Sequence, residues 1–238
     1  TLTEIIAKGL ASQMELRLAE VQYWSVNNLM NINFSKTKEL LLGSVNINPP
    51  PLLSCSGNII ERVTAFKLLG VIVDDKLRWD SHVDSICAKA SSRLYFLKQL
   101  KRSSVDSDDL LHFYLSVIRP VLEYACPAWS TSLTQDQVNR IERIQKRAML
   151  IIYGIDYKQL CKTNVLPLYE RRESLCKRFF KTVFDESSCL HYLLPEPRDS
   201  DVIDRLRNPI RYTAATPRTS RFEKSFLMYG LNNYQPTV

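Results

Sequence analysis

Two adjacent carboxylates, Asp74 and Asp75, close an apolar run in the stretch FKLLGVIVDDKLRWDSHV, residues 66–83. Paired aspartates at a strand end can hold divalent cations for phosphoryl transfer, with two cations about 3.5–4 Å apart. That use needs a tight hairpin that turns both side chains to one side, because neighbours on a continuing strand point to opposite faces. It also needs a third carboxylate from another strand. Here Lys76, Leu77, Arg78 and Trp79 follow, and then a helix cap, so the strand leaves the sheet rather than turning back. No upstream segment reads as a second strand ending in Asp. The pair is expected to be a solvated turn, and no metal ligand is assigned in the chain.

Cations offer a second kind of chemistry. Arg140, Arg143 and Arg147 recur at i, i+3 and i+7, with Lys146 beside them. Such a row can follow a phosphate backbone with salt-dependent, sequence-independent affinity. The same row also reads as a solvated helix face supported by Glu142 and Lys146 at i, i+4. Arg171 and Arg172, with Lys177 and Arg178 nearby, leave the same alternatives open. The net charge of +7 favours a polyanionic partner.

Other chemistries find little support. The six cysteines form no C-x-x-C pair, and Cys189-Leu190-His191 lacks nearby partners, so free thiols in a reducing interior are expected. His82, His112 and His191 have no acid–base partner pattern, and nucleophile-elbow, P-loop and zinc-protease motifs are missing. Trp24, Trp79 and Trp129 sit among apolar neighbours and read as packing anchors. The apolar runs, such as AMLIIY at 148–153, fall far below the ~20 residues of a membrane span. No leader pattern shows, so an intracellular location, nucleus or cytoplasm, is expected rather than secretion.

The elements that must position these residues follow from periodicity. Residues 3–31 read as one long amphipathic helix through Ile5/Ile6, Leu10, Met14, Leu18, Val21 and Trp24. That pattern is already running at the first residues, as in a chain cut from something longer or a processed or trimmed domain start. Residues 38–47 read as a strand, Pro49-Pro50-Pro51 as an extended connector, and 52–63 as a region with a short strand. AFKLLGVIV, 65–73, reads as one strand buried on both faces. Helices follow. Ser81 and Asp84 form a capping-box-like start, and Val83, Ile86, Ala90, Leu94 and Leu97 make one stripe that ends at Ser103–Ser107. The next helix, about 107–124, must kink or restart at Pro120. Another starts at Thr134 and stops at Gly154, with Val138, Ile141, Ile144, Ala148 and Ile151 inward. A further helix covers about 167–185. Beyond Pro195-Glu196-Pro197 the chain reads as an irregular tail anchored by Phe222, Phe226 and Tyr229. Strands first and a bundle second make the fold class α+β.

The string LGVIVDDKLRWDSH fits L-G-V-x-x-D-x-x-L-x-W-x-x-H, which resembles the segment after the palm in reverse transcriptases of non-LTR (LINE-type) retrotransposons. In that pattern Asp74 takes the usual Asp position and Asp75 a variable one, which agrees with the geometric argument against a metal dyad. WSVNNLMNINFSKTKELLL, 24–42, resembles the family's W-x-x-x-N-x-x-x-x-N-x-x-K-T-K stretch, part of motif D. IRPVLEYACPAW, QVNRIERIQKRAMLIIYG, LPLYERRESL and RTSRFEKSF resemble the helical thumb-like region and the end of the reading frame, in order along nearly the whole chain.

The resemblance implies a C-terminal fragment of an RNA-directed DNA polymerase. Residues 1–80 would be the end of the palm with a primer-grip strand, 81–190 a helical thumb-like domain and 191–238 an irregular extension. The family's aromatic-x-Asp-Asp box and its other catalytic Asp would precede residue 1, so the isolated fragment is expected to be inactive. The Mg²⁺ of the parent enzyme would not be held here, and the missing palm and fingers would be its partners. Lys36 takes the motif-D Lys position, near the triphosphate, where it could protonate departing pyrophosphate. Leu69 and Gly70 would stand at the primer grip, and Gly70 would let a backbone approach closely. With Arg140, Arg143, Lys146, Arg147, Arg171 and Arg172, these residues would contact a primer–template duplex or the element RNA. A non-catalytic helical protein-interaction module, or a decayed relic of such an element, is the alternative. It would be favoured if the Arg row pairs with carboxylates of neighbouring helices.

Overall fold

The apolar stripes of the second half close a helical core, and the first half builds short sheets beside one helix. The computed structural model describes residues 1–6, 12–154, 165–199, 203, 209–213 and 215–235. The chain divides into two compact units, Thr1–His82 and Val83–Val238. The mixed α+β class expected from the sequence is what the structure shows, with small two-stranded sheets and a majority of helix.

In the first unit, helix α1 runs from Met14 to Asn27, shorter than the expected 3–31. Residues 7–11, including Leu10 of the expected stripe, lie outside the described residues. Glu4 accepts hydrogen bonds from the Gln13 amide (2.8 Å) and the Ser12 hydroxyl (2.6 Å), so a non-helical segment folds back over the helix start. At the other end Leu29 takes φ 54°, and the Met30 and Leu29 amides reach the Ser25 and Val26 carbonyls. Those two bonds are a Schellman stop with leucine in the usual glycine place. Among the described residues of the expected stripe only Leu18 is buried, and it packs with Cys55 and Ile60, with Phe34 and Leu53 against them. Trp24 is exposed, against the expectation of an anchor.

The expected strand 38–47 shrinks to β1, Lys38–Glu39, followed by a 3₁₀ turn at Gly43–Asn46. β1 pairs in parallel with β4, Glu61–Arg62, and Lys38–Glu61 and Arg62–Glu39 ion pairs cross between them. Arg62 also donates to the Pro50 and Pro51 carbonyls at 2.9 and 3.0 Å, which fixes the proline connector. Between β1 and β4, β2 (Ser54–Cys55) and β3 (Asn58–Ile59) form a hairpin across Ser56-Gly57.

The expected buried strand 65–73 is instead a hairpin. β5, Ala65–Leu68, pairs antiparallel with β6, Val71–Asp74, through the two-residue turn Leu69-Gly70. Both turn residues have positive φ, 46° and 91°. That is the type I′ geometry, whose twist matches the strands and which glycine makes accessible. A continuous apolar run concealed the turn because Leu69 occupies a position where Asn or Asp usually signals it. Every residue of β5 is exposed, and only Val71 of β6 is buried, so the run is not a two-faced core strand.

Helix α2, Asp80–Arg102, buries its whole expected stripe from Val83 to Leu97. It starts at Asp80, so Ser81 lies within it rather than capping it. Ser104, at φ 59°, ends it with a second Schellman pair, Val105 to Leu100 and Ser104 to Lys101. α3, Ser107–Phe113, is capped by Asp106, whose carboxylate accepts the Asp108 amide. A π-helical turn, Tyr114–Ile118, then leads into α4, Arg119–Glu123, with Pro120 in its first turn. The restart expected at Pro120 is thus observed, since proline has no N–H to continue the ladder. The Arg93 guanidinium donates to the Val117 carbonyl in this loosened stretch.

α5, Gln135–Tyr153, has a complete capping box between Thr134 and Gln137 and ends on Gly154 at φ 66°, as expected. α6 runs from Leu168 to Val183. The expected irregular tail ends in order: α7, Ser220–Glu223, precedes α8, Phe226–Asn233. α8 packs on α6 through Phe180, whose ring lies 5.5 Å from Phe226 and 5.8 Å from Tyr234, centroid to centroid. Phe222 is exposed and contributes less than the buried Met228, Leu231 and Tyr234.

Candidate nucleic-acid interface

The spacing around Asp74 resolves into a structural junction inside the first unit. The Asp74 carboxylate accepts the Lys76 amide at 2.8 Å and the Arg78 amide at 3.2 Å, so it caps the turn that follows β6. The Asp75 amide bonds to the Thr64 carbonyl and extends the ladder. Trp79 is buried with its ring 6.3 Å from that of His82, edge-on. His82 is buried as well, and its Nδ1 accepts the Ile72 amide at 3.3 Å. The hairpin precedes the aspartate pair instead of following it. These two residues do not fit a Mg²⁺ site, because Asp74 is committed to backbone amides. Among the described residues no group of three His, Cys, Asp or Glu side chains is placed to hold a metal ion.

Lys36 is exposed in a turn built by Asn33. The Asn33 carbonyl and its side-chain oxygen both accept the Lys36 amide at 3.1 Å, and Ser35 donates to the same side chain at 2.7 Å. The N-x-x-K spacing therefore holds the lysine's backbone while its side chain projects. Lys38 is tied to Glu61. Leu69 stands at the hairpin tip, 83% exposed, beside Gly70.

In the second unit the arginine row divides. Arg140 is half-buried and joined to Asp84 of α2, and that hydrogen bond raises its already high pKa. Arg143, Lys146 and Arg147 are exposed on one side of α5. Arg143 lies 3.8 Å from Asp136 of its own helix, with both side chains largely exposed, a pair of little energetic weight. Arg147 makes no ion pair with a described residue. Arg171 is bound in bidentate fashion to Glu123, at 2.6 and 3.2 Å.

Arg172 is removed from any surface. It is 1% exposed, stands 6.0 Å over the Trp129 ring, and lies 3.9 Å from Glu142. Among the described residues its Nε and Nη1 find no acceptor. Burial pushes its pKa down, and burial also pushes that of Glu142 up against the opposing pull of Arg172 and two amides. The expected duplex contact at Arg172 is thus corrected to a core position. It falls on the buried stripe of α6 with Leu168, Cys176, Phe180 and Val183, a periodicity that the sequence does show.

The sequence reading missed a buried polar network between α5 and α6. Glu142 caps α6 from outside, accepting the Leu168 and Tyr169 amides at 3.3 and 2.7 Å. A carboxylate there meets the unpaired N–H groups and positive end of the helix dipole. Gln145, fully buried, accepts from the Tyr114 hydroxyl at 2.6 Å and donates to the Leu166 carbonyl at 3.1 Å. The available signal was that positions 142 and 145 fall on the same inner face as Ile141, Ile144 and Ala148.

Comparison with known proteins fixes what this arrangement is similar to. The chain is 26% identical over 210 residues to the probable RNA-directed DNA polymerase from transposon X-element of Drosophila melanogaster, covering 82% of this chain and 21% of that protein. Its curated relatives are RNA-directed DNA polymerases of mobile elements. The same likeness recurs at 24% identity over 135 residues with the RNA-directed DNA polymerase from mobile element jockey of Drosophila funebris, covering 56% of this chain and 14% of that protein. The resemblance to non-LTR reverse transcriptases read from the motifs is borne out by these relatives. The chain spans about a fifth of the length of the first relative and less of the second. A family model described as alkylated DNA repair protein alkB homolog 8, N-terminal, matches residues 79–119, a helical stretch well under half of the chain. No solved structure matches significantly. Among the described residues, no helix is long and apolar enough to cross a membrane.

Proposed function

We propose that this chain is the C-terminal, thumb-side portion of a mobile-element RNA-directed DNA polymerase, and that it grips a primer–template duplex through the exposed face of α5. The observation that carries the reading is that Arg143, Lys146 and Arg147 are exposed along one side of α5, whereas Arg140 is half-buried and Arg172 is buried. The alignment over 210 residues with a polymerase supports it. On this reading the chain by itself should not extend a primer. Incorporation of labelled nucleotide above background would count against that part. Lys36, held by Asn33, would act only in the whole enzyme, as a proton donor near departing pyrophosphate.

The test is fluorescence anisotropy of an RNA–DNA hybrid titrated with the chain at 50 and 200 mM salt. Each lost phosphate contact lowers the slope of log affinity against log salt by about 0.9. Replacing Arg143, Lys146 and Arg147 by Ala should therefore flatten the slope by about 2.7, an effect of about 40-fold across that salt interval. A second reading, a non-catalytic interaction module, draws support from the Arg140–Asp84 and Arg171–Glu123 pairs, which tie cations to neighbouring helices. Absence of binding at 50 mM salt by folded protein would favour it.

A further inference from the structure

The second unit carries a cleft to which α5 contributes no residue. It holds about 650 Å³ between α2 and the stretch that runs from the end of α3 through the π-helical turn. Phe96, Leu100, Phe113 and Val117 line it with apolar surface, and Arg93, Gln99 and Ser116 are its polar groups. Phe96 is 58% exposed and Tyr95 beside it 59%, with their rings edge-on and 5.7 Å apart, centroid to centroid. The inner stripe of α2 is already buried from Val83 to Leu97, so these two rings add nothing to that contact.

Charge selects the occupant. From Ser85 to Val105 the sequence has five cations, Lys89, Arg93, Lys98, Lys101 and Arg102, and no carboxylate. Lys89 and Arg93 share one helical stripe with Phe96 and Leu100, at spacings of four, three and four. Asp108 and Asp109 of α3 stand in its first turn, whereas its contribution to the cleft begins at Phe113. Arg93 spends one guanidinium nitrogen on the Val117 carbonyl, which fixes it at the cleft and leaves further N–H donors. An anionic occupant with flat apolar faces suits both the rings and the cations. A nucleotide of an unpaired strand supplies both in one unit, because its base stacks on a ring and its phosphate meets a cation. The Gln99 amide offers a donor and an acceptor to the edge of such a base. An acidic peptide would supply the charge without a planar face for Phe96, and a duplex keeps its bases stacked inside.

We propose that this cleft binds unpaired nucleic acid. One base stacks against Phe96 at the mouth, a neighbouring base stacks on Tyr95, and Lys89, Arg93 and Arg102 hold the phosphates. The site goes beyond the duplex grip and differs from it in kind. A cationic row follows phosphates whatever lies between them, whereas this cleft takes affinity from the faces of the bases as well. Stacking accepts every base, so binding here is tolerant of sequence but depends on bases being present and unpaired.

The experiment titrates the whole chain into a labelled oligothymidylate, and into a strand of the same length with abasic sites in place of every base, following anisotropy at 50 mM salt. The two strands carry the same phosphates, so their ratio isolates the bases. The parent should bind the oligothymidylate about 10-fold tighter than the abasic strand. Phe96→Ala should bring the two within about twofold and leave the affinity for a blunt RNA–DNA hybrid unchanged. Replacing Arg143, Lys146 and Arg147 by Ala should weaken the hybrid and leave the thymidylate-to-abasic ratio as it is, so failure of the duplex grip and failure of this site read differently. Equal affinity of the parent for the two strands would overturn the proposal, and needs no variant to fold. A ratio that survives in folded Phe96→Ala would overturn it as well. So would absence of single-strand binding, which would turn this face over to a protein partner.

Discussion

Leu69→Asn is expected to stabilise the β5–β6 hairpin while removing the side chain that the family resemblance sets at the primer grip. Leu69 holds φ 46° in the first position of a type I′ turn, where Asn is strongly preferred. A β-carbon in left-handed backbone costs about 1–2 kcal/mol, and asparagine relieves part of that through local hydrogen bonding. The side chain is 83% exposed, so replacing it forfeits little burial to set against the gain. A net gain of about 1 kcal/mol should slow hydrogen exchange of the β5 and β6 ladder amides about fivefold, if they exchange through hairpin opening. The assay is native-state exchange followed by mass spectrometry, with the Leu69→Gly variant as the conformational control. Faster exchange in Leu69→Asn would refute the argument, because it would mean that the leucine packs and that its strain is offset by contacts. The binding titration gives the second half of the comparison. Slower exchange with weaker hybrid binding would identify a strained residue retained for contact, in keeping with the tendency of strain to collect at functional sites.

Gly230→Ala would place a Cβ 2.3 Å from two atoms of the Phe180 ring, which is fenced by Phe184, Phe226 and Tyr234. Overpacking should outweigh the helix-propensity gain of about 1 kcal/mol, so Tm should fall by about 4–10 °C, and a rise would show that the ring can move. Glu142→Gln tests the buried cap of α6. Because burial raises the Glu142 pKa, the folded state binds more protons than the unfolded one just above pH 4.5, and stability from this group declines as pH rises through that window. Denaturant titrations from pH 4 to 8 should show that decline in the parent and a flatter profile in Glu142→Gln; identical profiles would remove Glu142 as its source.

Legibility differed between the units for a physical reason. The stripes of α2 and α5 are long, regular and flanked by stops such as Gly154, so period and boundary agreed and both helices emerge nearly as read. In the first unit the informative features are turns with residues that do not announce them. Leu29 and Leu69 occupy left-handed positions that usually carry Gly or Asn, so the helical period runs on past the end of α1 and the apolar run passes unbroken through the hairpin turn. The α5 cations were legible as a row, but not which of them would be held. That depends on Asp84 of a different helix, a contact made only when the bundle closes, as is the Glu123 pair that holds Arg171 of α6.

In the L-G-V-x-x-D-x-x-L-x-W-x-x-H spacing most of the fixed positions answer to a turn, a cap or a buried contact. Gly70 admits the hairpin turn, Val71 is buried, Asp74 caps the exit from β6, and Trp79 and His82 fold the first turn of α2 back onto Ile72. Each fixed position in the pattern except the two leucines is thereby accounted for by a hydrogen bond, a buried contact or a backbone angle. The adjacent acids that first suggest catalysis are one cap and one ladder residue. If this junction serves duplex binding, it does so by setting the hairpin tip. His82→Ala should then loosen the hairpin in hydrogen exchange before it changes hybrid affinity, whereas a direct contact would lose affinity with exchange unchanged.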